Sequence, residues 1–187
     1  MASIIKVNTI QDATNSNTAL TIDSSGSVSI PGSVVQVKTA YYGANSGLYN
    51  STSYQHISPY DVTITPKFSN SLMRITWIGQ QNCYTNGSQA NPYCYYAFYQ
   101  DSTIVSNHNI SYGGSGYIQM IGGSSSSGFG QSLNTILTDV LSAGSTSSRT
   151  YKLYVKVDST NHYASLQAVS ARYMIVEEIA QWAKQQN

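Results

Sequence analysis

The clearest periodicity in the chain runs from Leu72 to Ile78. Met73, Ile75 and Trp77 fall on one side of an extended backbone, and Leu72, Arg74, Thr76 and Ile78 on the other. A period of two predicts a strand, and the fully apolar side is placed inward. Tyr151, Leu153, Val155 and Val157 alternate with Lys152, Tyr154 and Lys156 in the same way, which predicts a half-buried strand. In 93–99, Cys94, Tyr96 and Phe98 oppose Tyr93, Tyr95, Ala97 and Tyr99. Val62 and Ile64 alternate with Thr63 and Thr65 until Pro66 ends the run. Further strands are predicted from Val34 to Tyr42 and at 104–105, 117–121 and 171–178. The stretch 133–141 fits a strand or a helix by its own pattern, and its β-rich surroundings favour a strand.

Turn residues separate these runs: Asn45-Ser46-Gly47, Asn70-Ser71, Thr85-Asn86-Gly87-Ser88, Gln100-Asp101-Ser102, and a Gly-Ser loop at 122–128. Roughly seven to nine short strands with such punctuation predict an all-β, antiparallel β-sandwich.

The segment 1–32 differs from the rest. Its apolar residues, Ile4, Ile5, Val7, Ile10, Leu20 and Ile22, sit in short alternating stretches broken by Asp, Ser and Gly. It lacks the apolar run and cleavage site of a secretory signal. Its apolar residues are too sparse for a core of its own. The segment is therefore expected to be an extended β arm, ordered where identical chains or a larger particle cover it. Pro31-Gly32 marks the boundary, and the sandwich is assigned to 33–176. In 177–187, Glu177 and Glu178 stand early and Lys184 late, with Ile179, Trp182 and Ala183 on one stripe. This pattern suits a short helical turn as a C-terminal tail, packed on its own domain or docked into a neighbour.

Composition sharpens the picture. The 187 residues suit one core domain plus an extension. Charged residues make up only 9% of the chain, against about 25% in ordinary soluble domains. Such a surface suits packing against copies of itself, or against a neutral ligand. The net charge of +1, with scattered basic residues, argues against a nucleic-acid partner. No run of 18 apolar residues is present to span a membrane as a helix.

Cys83 and Cys94 admit three readings: buried free thiols, a disulfide, or part of a metal site. Buried thiols are favoured, because free cysteine packs as a small hydrophobe and the pair lacks two further ligands.

No catalytic, metal or cofactor motif emerges. His56, His108 and His162 are far apart in polar contexts, and no His-x-x-x-His or Cys-x-x-Cys pair exists. Asp101, Asp139, Asp158, Glu177 and Glu178 provide no singled-out carboxylate pair for glycoside hydrolysis. The expectation is a protein that is not an enzyme and needs no cofactor.

Tyrosine is the residue that stands out, 16 against 3 Phe. A phenol ring combines an apolar face with a hydroxyl, which suits half-wet surfaces such as a sugar contact or a subunit interface. Tyr also fills strand positions by propensity alone. For receptor or glycan contact the candidates are Tyr84, Asn86, Tyr93, Tyr95, Tyr112 and Tyr117.

The opening Ala2-Ser3-Ile4-Ile5-Lys6-Val7-Asn8-Thr9-Ile10-Gln11, followed by Ala19-Leu20-Thr21-Ile22-Asp23-Ser24-Ser25-Gly26-Ser27-Val28, resembles the N-terminal leader of virion structural proteins from tailed phages, especially marine and cyanobacterial ones. Ile64-Thr65-Pro66-Lys67-Phe68-Ser69-Asn70-Ser71, Tyr99-Gln100-Asp101-Ser102-Thr103 and Arg149-Thr150-Tyr151-Lys152-Leu153 agree with that family. The chain departs from the family pattern in its Tyr-rich stretch between Tyr84 and Tyr99.

The resemblance implies a homotrimer with a jelly-roll-like head, located in the virion and assembled in the host cytoplasm. The arm residues Ile4, Ile5, Val7, Ile10, Leu20 and Ile22 would then contact other virion proteins. A tail-fibre or appendage subunit with an adhesive head is the favoured expectation, with host surface glycan as its partner. A capsid decoration or head-fibre protein is the alternative. A free carbohydrate-binding module is the reading from another class. In a trimer, three copies of His108 near the axis could gather around an ion, although a solvated loop histidine is the simpler reading.

Overall fold

The computed structural model describes residues 8–11, 18–22, 28–44, 47–85, 93–108, 118–119, 130–166 and 172–181. Three strands come from the arm: β1 (Thr9–Gln11), β2 (Thr18–Ile22) and β3 (Val28–Ser29). The main domain contributes β4 (Val34–Tyr41), β5 (Gln55–His56), β6 (Val62–Ile64), β7 (Leu72–Thr85), β8 (Tyr93–Gln100) and β9 (Thr103–His108). It continues with β10 (Ile118–Gln119), β11 (Gly130–Ser142), β12 (Arg149–Val157), β13 (His162–Leu166) and β14 (Tyr173–Ile179).

These strands form two antiparallel sheets packed face to face, the expected all-β sandwich. One sheet has the order β11-β7-β14-β4, with β13 also paired to β7. The other has the order β10-β8-β12-β5, with β6 also on β12 and β9 also on β8. Long strands carry two short ones end to end. β7 pairs with β14 along Leu72–Ile78 and with β13 along Gln81–Thr85. β12 pairs with β6 at Arg149–Tyr151 and with β5 at Tyr154–Val155. Counting each end-to-end pair as one position leaves eight positions, numbered along the chain. Their order is then 6-3-8-1 in one sheet and 5-4-7-2 in the other, two Greek keys folded into a jelly roll. The main domain thus has more strands than expected, because the pairs β5/β6, β9/β10 and β13/β14 interrupt single jelly-roll positions.

The alternation in the sequence places the core correctly. Met73, Ile75 and Trp77 of β7 are fully buried, as are Tyr96 and Phe98 of β8. Tyr151, Leu153, Val155 and Val157 of β12 and Met174 and Val176 of β14 complete the layer between the sheets. Trp77 and Tyr96, on opposite sheets, stack with ring centroids 6.0 Å apart and planes at 11°. Tyr60 meets the indole edge-on at 6.2 Å and 87°.

Cys83 and Cys94 form a disulfide, with Cα atoms 6.2 Å apart, so the preference for free thiols is overturned. Both residues continue the inward-facing series of their strands, Met73 to Gln81 in β7 and Phe98 to Tyr96 in β8. The chain crosses from one sheet to the other between β7 and β8, and this brings the two thiols together across the sandwich. A bridge closing a loop of this length contributes about 3 kcal/mol in the chain-entropy account. Accordingly, replacing both cysteines with serine is expected to lower unfolding free energy by about 3 kcal/mol or more, since two buried hydroxyls replace the bridge, without changing the circular-dichroism spectrum. Unchanged denaturation midpoints in reducing and oxidising buffer would refute this.

The predicted helical turn does not form where it was expected to start. Glu177 through Ile179 belong to β14, so the main domain extends past the predicted boundary at 176. The reason is Glu178, whose side chain points into the sandwich and is fully buried. Its carboxylate accepts hydrogen bonds from the backbone N–H groups of Lys67 and Phe68, each at 2.9 Å, from Ser71 Oγ at 2.7 Å and from Gln36 Nε2 at 2.6 Å. Trp182, Ala183 and Lys184 lie outside the described residues.

The arm strands are not isolated. They pair as an antiparallel meander, β1-β2-β3, with Ile10 opposite Leu20 and Ile22 opposite Val28. Ile10 and Val28 remain about half exposed. Ile4, Ile5 and Val7 lie outside the described residues. Gly32 makes the turn into the main domain with φ +81°, a conformation that favours glycine. Its N–H donates to the Ala180 carbonyl, and Ala180 N–H donates to that of Ser33.

Candidate functional site: an aromatic platform on one outer face

The register of the β10-β8-β12-β5 sheet brings its outward side chains together. Tyr154 lies opposite His56 on one side and Ala97 on the other, while Lys156 lies opposite Tyr95 and Lys152 opposite Tyr99. Because the side-chain period is two, Tyr95, Tyr99, Tyr154 and Lys156 all stand on the outer face. Tyr54 and His56 join them from the neighbouring segment.

The rings form a continuous surface. Tyr99 and Tyr154 stack with centroids 3.9 Å apart and planes at 26°. His56 stacks on the other side of Tyr154 at 5.0 Å. Tyr54 meets Tyr99 edge-on at 6.1 Å. The Lys156 ammonium sits between two rings, 4.8 Å from the Tyr54 centroid and 5.0 Å from that of Tyr95. Ala97, directly beneath, has no exposed surface. The rings themselves are half-buried.

Polar groups border the rings. His56 Nε2 is 2.6 Å from Asp61 Oδ1, and both side chains are about one-third exposed. Burial pushes the Tyr54 phenol pKa up, with Tyr99 and Tyr95 adding to it. Burial, then Tyr154, raises that of Tyr99. Both phenols are therefore neutral at physiological pH and can donate and accept hydrogen bonds. The surface has flat apolar faces, a cation held by aromatic rings, and hydroxyl, imidazole and carboxylate groups at its margin. It suits a ligand with an apolar face and a hydroxylated rim, held by stacking and hydrogen bonds.

Of the sequence candidates, the structure brings Tyr93 and Tyr95 to this face of β8. Tyr84 belongs to β7 in the other sheet, where its backbone pairs with Gly130 and Tyr163. Asn86, Tyr112 and Tyr117 lie outside the described residues. Tyr54, His56, Tyr99 and Tyr154 were not among the candidates. The alternation of β12 already placed Tyr154 outward with Lys152 and Lys156, and that of β8 placed Tyr99 beside Tyr95. What no local pattern contains is the adjacency of β5, β12 and β8.

His162 does not join the platform. His162 Nδ1 is 2.5 Å from Asp158 Oδ1 and the residue is buried. The backbone of His108 pairs with Tyr96 at the end of β9. Among the described residues, no group of three or more His, Cys, Asp or Glu side chains is placed to hold a metal ion.

No family model matches this chain, and no curated protein matches it. Some solved structures are distantly similar. The tumour necrosis factor Eiger from S. frugiperda is 10% identical over 81% of this chain and 96% of its own, with a TM-score of 0.42. Latent PorU from Porphyromonas gingivalis is 7% identical over 81% of this chain and 14% of its own, with a TM-score of 0.40. A chain of the T13 particle of infectious bursal disease virus is 9% identical over 83% of this chain and 38% of its own, with a TM-score of 0.36.

Proposed function

We propose that this chain is a structural protein of a tailed-phage virion, a homotrimeric tail-fibre or appendage subunit whose jelly-roll head binds a glycan on the host surface. The observation that carries the adhesive part is the platform of Tyr54, Tyr95, Tyr99, Tyr154 and His56 with Lys156 among them. The leader resemblance supports the virion part, and the low proportion of charged residues suits an assembled particle.

Such a head makes and breaks no covalent bond. A pyranose ring packs its C–H face against the exposed margin of the Tyr99–Tyr154–His56 stack, and its hydroxyls reach the phenols and the His56–Asp61 pair. Each site is weak alone. Several copies on one particle raise the effective affinity through avidity, by orders of magnitude, without any new contact.

The test is a glycan array of bacterial surface polysaccharides probed with the full-length chain, followed by titration of the hits. Tyr99→Ala combined with Tyr154→Ala is expected to weaken binding by about tenfold or more, since each ring stack is worth about 0.5–1.5 kcal/mol. Circular dichroism should be unchanged, because both rings lie outside the core. Binding by the double variant at the wild-type level, or a wild-type chain that recognises no surface polysaccharide, would overturn the adhesive reading.

A further inference from the structure

The two outer faces of the sandwich differ in character. On β12, the outward positions are Thr150, Lys152, Tyr154 and Lys156, a polar and aromatic mixture. On the opposite sheet, Val37 is 49% exposed, Tyr41 59%, Ile136 67%, Val140 47% and Tyr173 39%. Register joins these into one patch. Ile136 lies opposite Ile78 of β7, which lies opposite Tyr173 of β14, which lies opposite Tyr41 of β4. The Tyr41 and Tyr173 rings touch with centroids 5.2 Å apart. An antiparallel sandwich with a solvated outer face places polar residues there. A row of this kind, crossing a whole sheet, marks a contact surface.

We infer that this outer face of the β11-β7-β14-β4 sheet is the surface through which the chain binds a second copy of itself. The inference rests on the homo-oligomeric reading proposed above and assigns that reading its interface.

Three observations favour a copy over another occupant. First, the charges on the face are mutually satisfied. Arg74 Nε donates to Glu177 Oε2 at 2.6 Å, and the Thr76 and Thr138 hydroxyls are 3.3 Å apart. The face can lose water without orphaning a charge and needs no partner of opposite sign. A copy brings the same neutral, apolar surface, and a net charge of +1 sets up little repulsion between chains.

Second, the area is adequate. Four adjacent strands, each paired over about seven residues, cover roughly 450 Å² in projection at the usual strand spacing and rise. Three such faces turned to a common threefold axis, as in the homotrimer proposed above, together present on the order of 1,300 Å², above where specific interfaces begin. Third, the described strands of the arm do not cover it, since Val37, Tyr41, Ile136, Val140 and Tyr173 stay 39–67% exposed in the single chain.

The experiment is sedimentation velocity of the full-length chain across the micromolar range, with native mass spectrometry of the same samples. Two independent variants probe the face, Ile136→Lys with Val140→Lys, and Tyr173→Lys alone. All three side chains are well exposed in the single chain, so the fold tolerates lysine there, and circular dichroism verifies this. Thr103→Lys, exposed on the opposite sheet, is the control for added charge. Each face variant is expected to raise the dissociation constant for self-association by at least about 100-fold, because a lysine buried without a partner is strongly unfavourable. The control should assemble like the wild type. Face variants that assemble as well as the wild type would overturn this interface and leave the homo-oligomeric reading standing. A wild-type chain that stays monomeric would overturn both.

Discussion

Replacing Trp77 with alanine is expected to lower the unfolding free energy by about 4 kcal/mol. The indole has no exposed surface and lies at the centre of the sandwich. Tyr96 stacks on it from the opposite sheet, and Tyr60 meets it edge-on. Gly79, two positions along the same strand, leaves room for the ring. A Cβ added there would stand 2.6 Å from the indole and 2.7 Å from the Arg172 side chain.

A slot walled by other aromatic rings and backbone collapses poorly when emptied, so the cavity penalty adds to the lost transfer energy. Domains of this kind are stable by about 5–15 kcal/mol. The variant should therefore unfold at a much lower denaturant concentration with an unchanged slope. Trp77→Phe keeps most of the volume and should lose markedly less. A loss below about 1.5 kcal/mol for the alanine variant would show that this slot relaxes freely, contrary to close packing.

Glu178→Ala is expected to cost a similar amount, about 4 kcal/mol, by a different route. The buried carboxylate binds the backbone N–H groups of Lys67 and Phe68, the Ser71 hydroxyl and the Gln36 amide. These donors lie on the segment after β6 and on β4, so one side chain of β14 ties together three parts of the chain. Its removal orphans several donors at once, each at about 1–3 kcal/mol when buried.

The same geometry makes stability depend on pH. Burial opposes ionisation of Glu178, but the hydrogen bonds from Lys67, Phe68, Ser71 and Gln36 outweigh it and hold the carboxyl below its ordinary 4.5. The unfolded chain then binds the proton first as the pH falls. Stability from this group is full above 4.5 and is lost as the pH drops from there through the folded-state pKa. Glu177, held low by its hydrogen bond from Arg74, titrates in the same direction. The decisive measurement is therefore a comparison between chains. Glu178→Gln should be less stable than the wild type at neutral pH and should show a shallower decline under acid. Parallel acid-denaturation curves for the two would show that Glu178 contributes no proton linkage.

Much of the architecture was legible from the alternation of residues. Met73, Ile75 and Trp77 against Arg74 and Thr76, and Tyr151 to Val157 against Lys152 and Lys156, identified strands and their inward faces. A two-residue period has only two sides, and burial chooses between them. The same parity carried a signal for the disulfide. Cys83 continues the inward series of β7 and Cys94 that of β8, and a strand-by-strand count would have put both sulfurs in the core.

The candidate site was half legible. Tyr95 was named for its ring and its strand. Tyr99 was placed on the same face of its strand as Tyr95, and Tyr154 on the polar face of its own, without the two being joined, because their contact depends on β8 lying beside β12. Glu178 was read both as the end of a strand and as part of a helical turn, for the same kind of reason. Two glutamates followed by a lysine suit a helix start, whereas the donors that hold Glu178 in its strand lie 107 to 142 positions away on two other segments.

The sequence by itself determined the fold class, the strands and the inward residues, since period, propensity and turn chemistry act within a few residues. Tertiary structure alone decided the jelly-roll order, the inter-sheet disulfide, the buried carboxylate and the aromatic platform. Each of these is set by which distant strands lie side by side, and that is settled when the whole core closes.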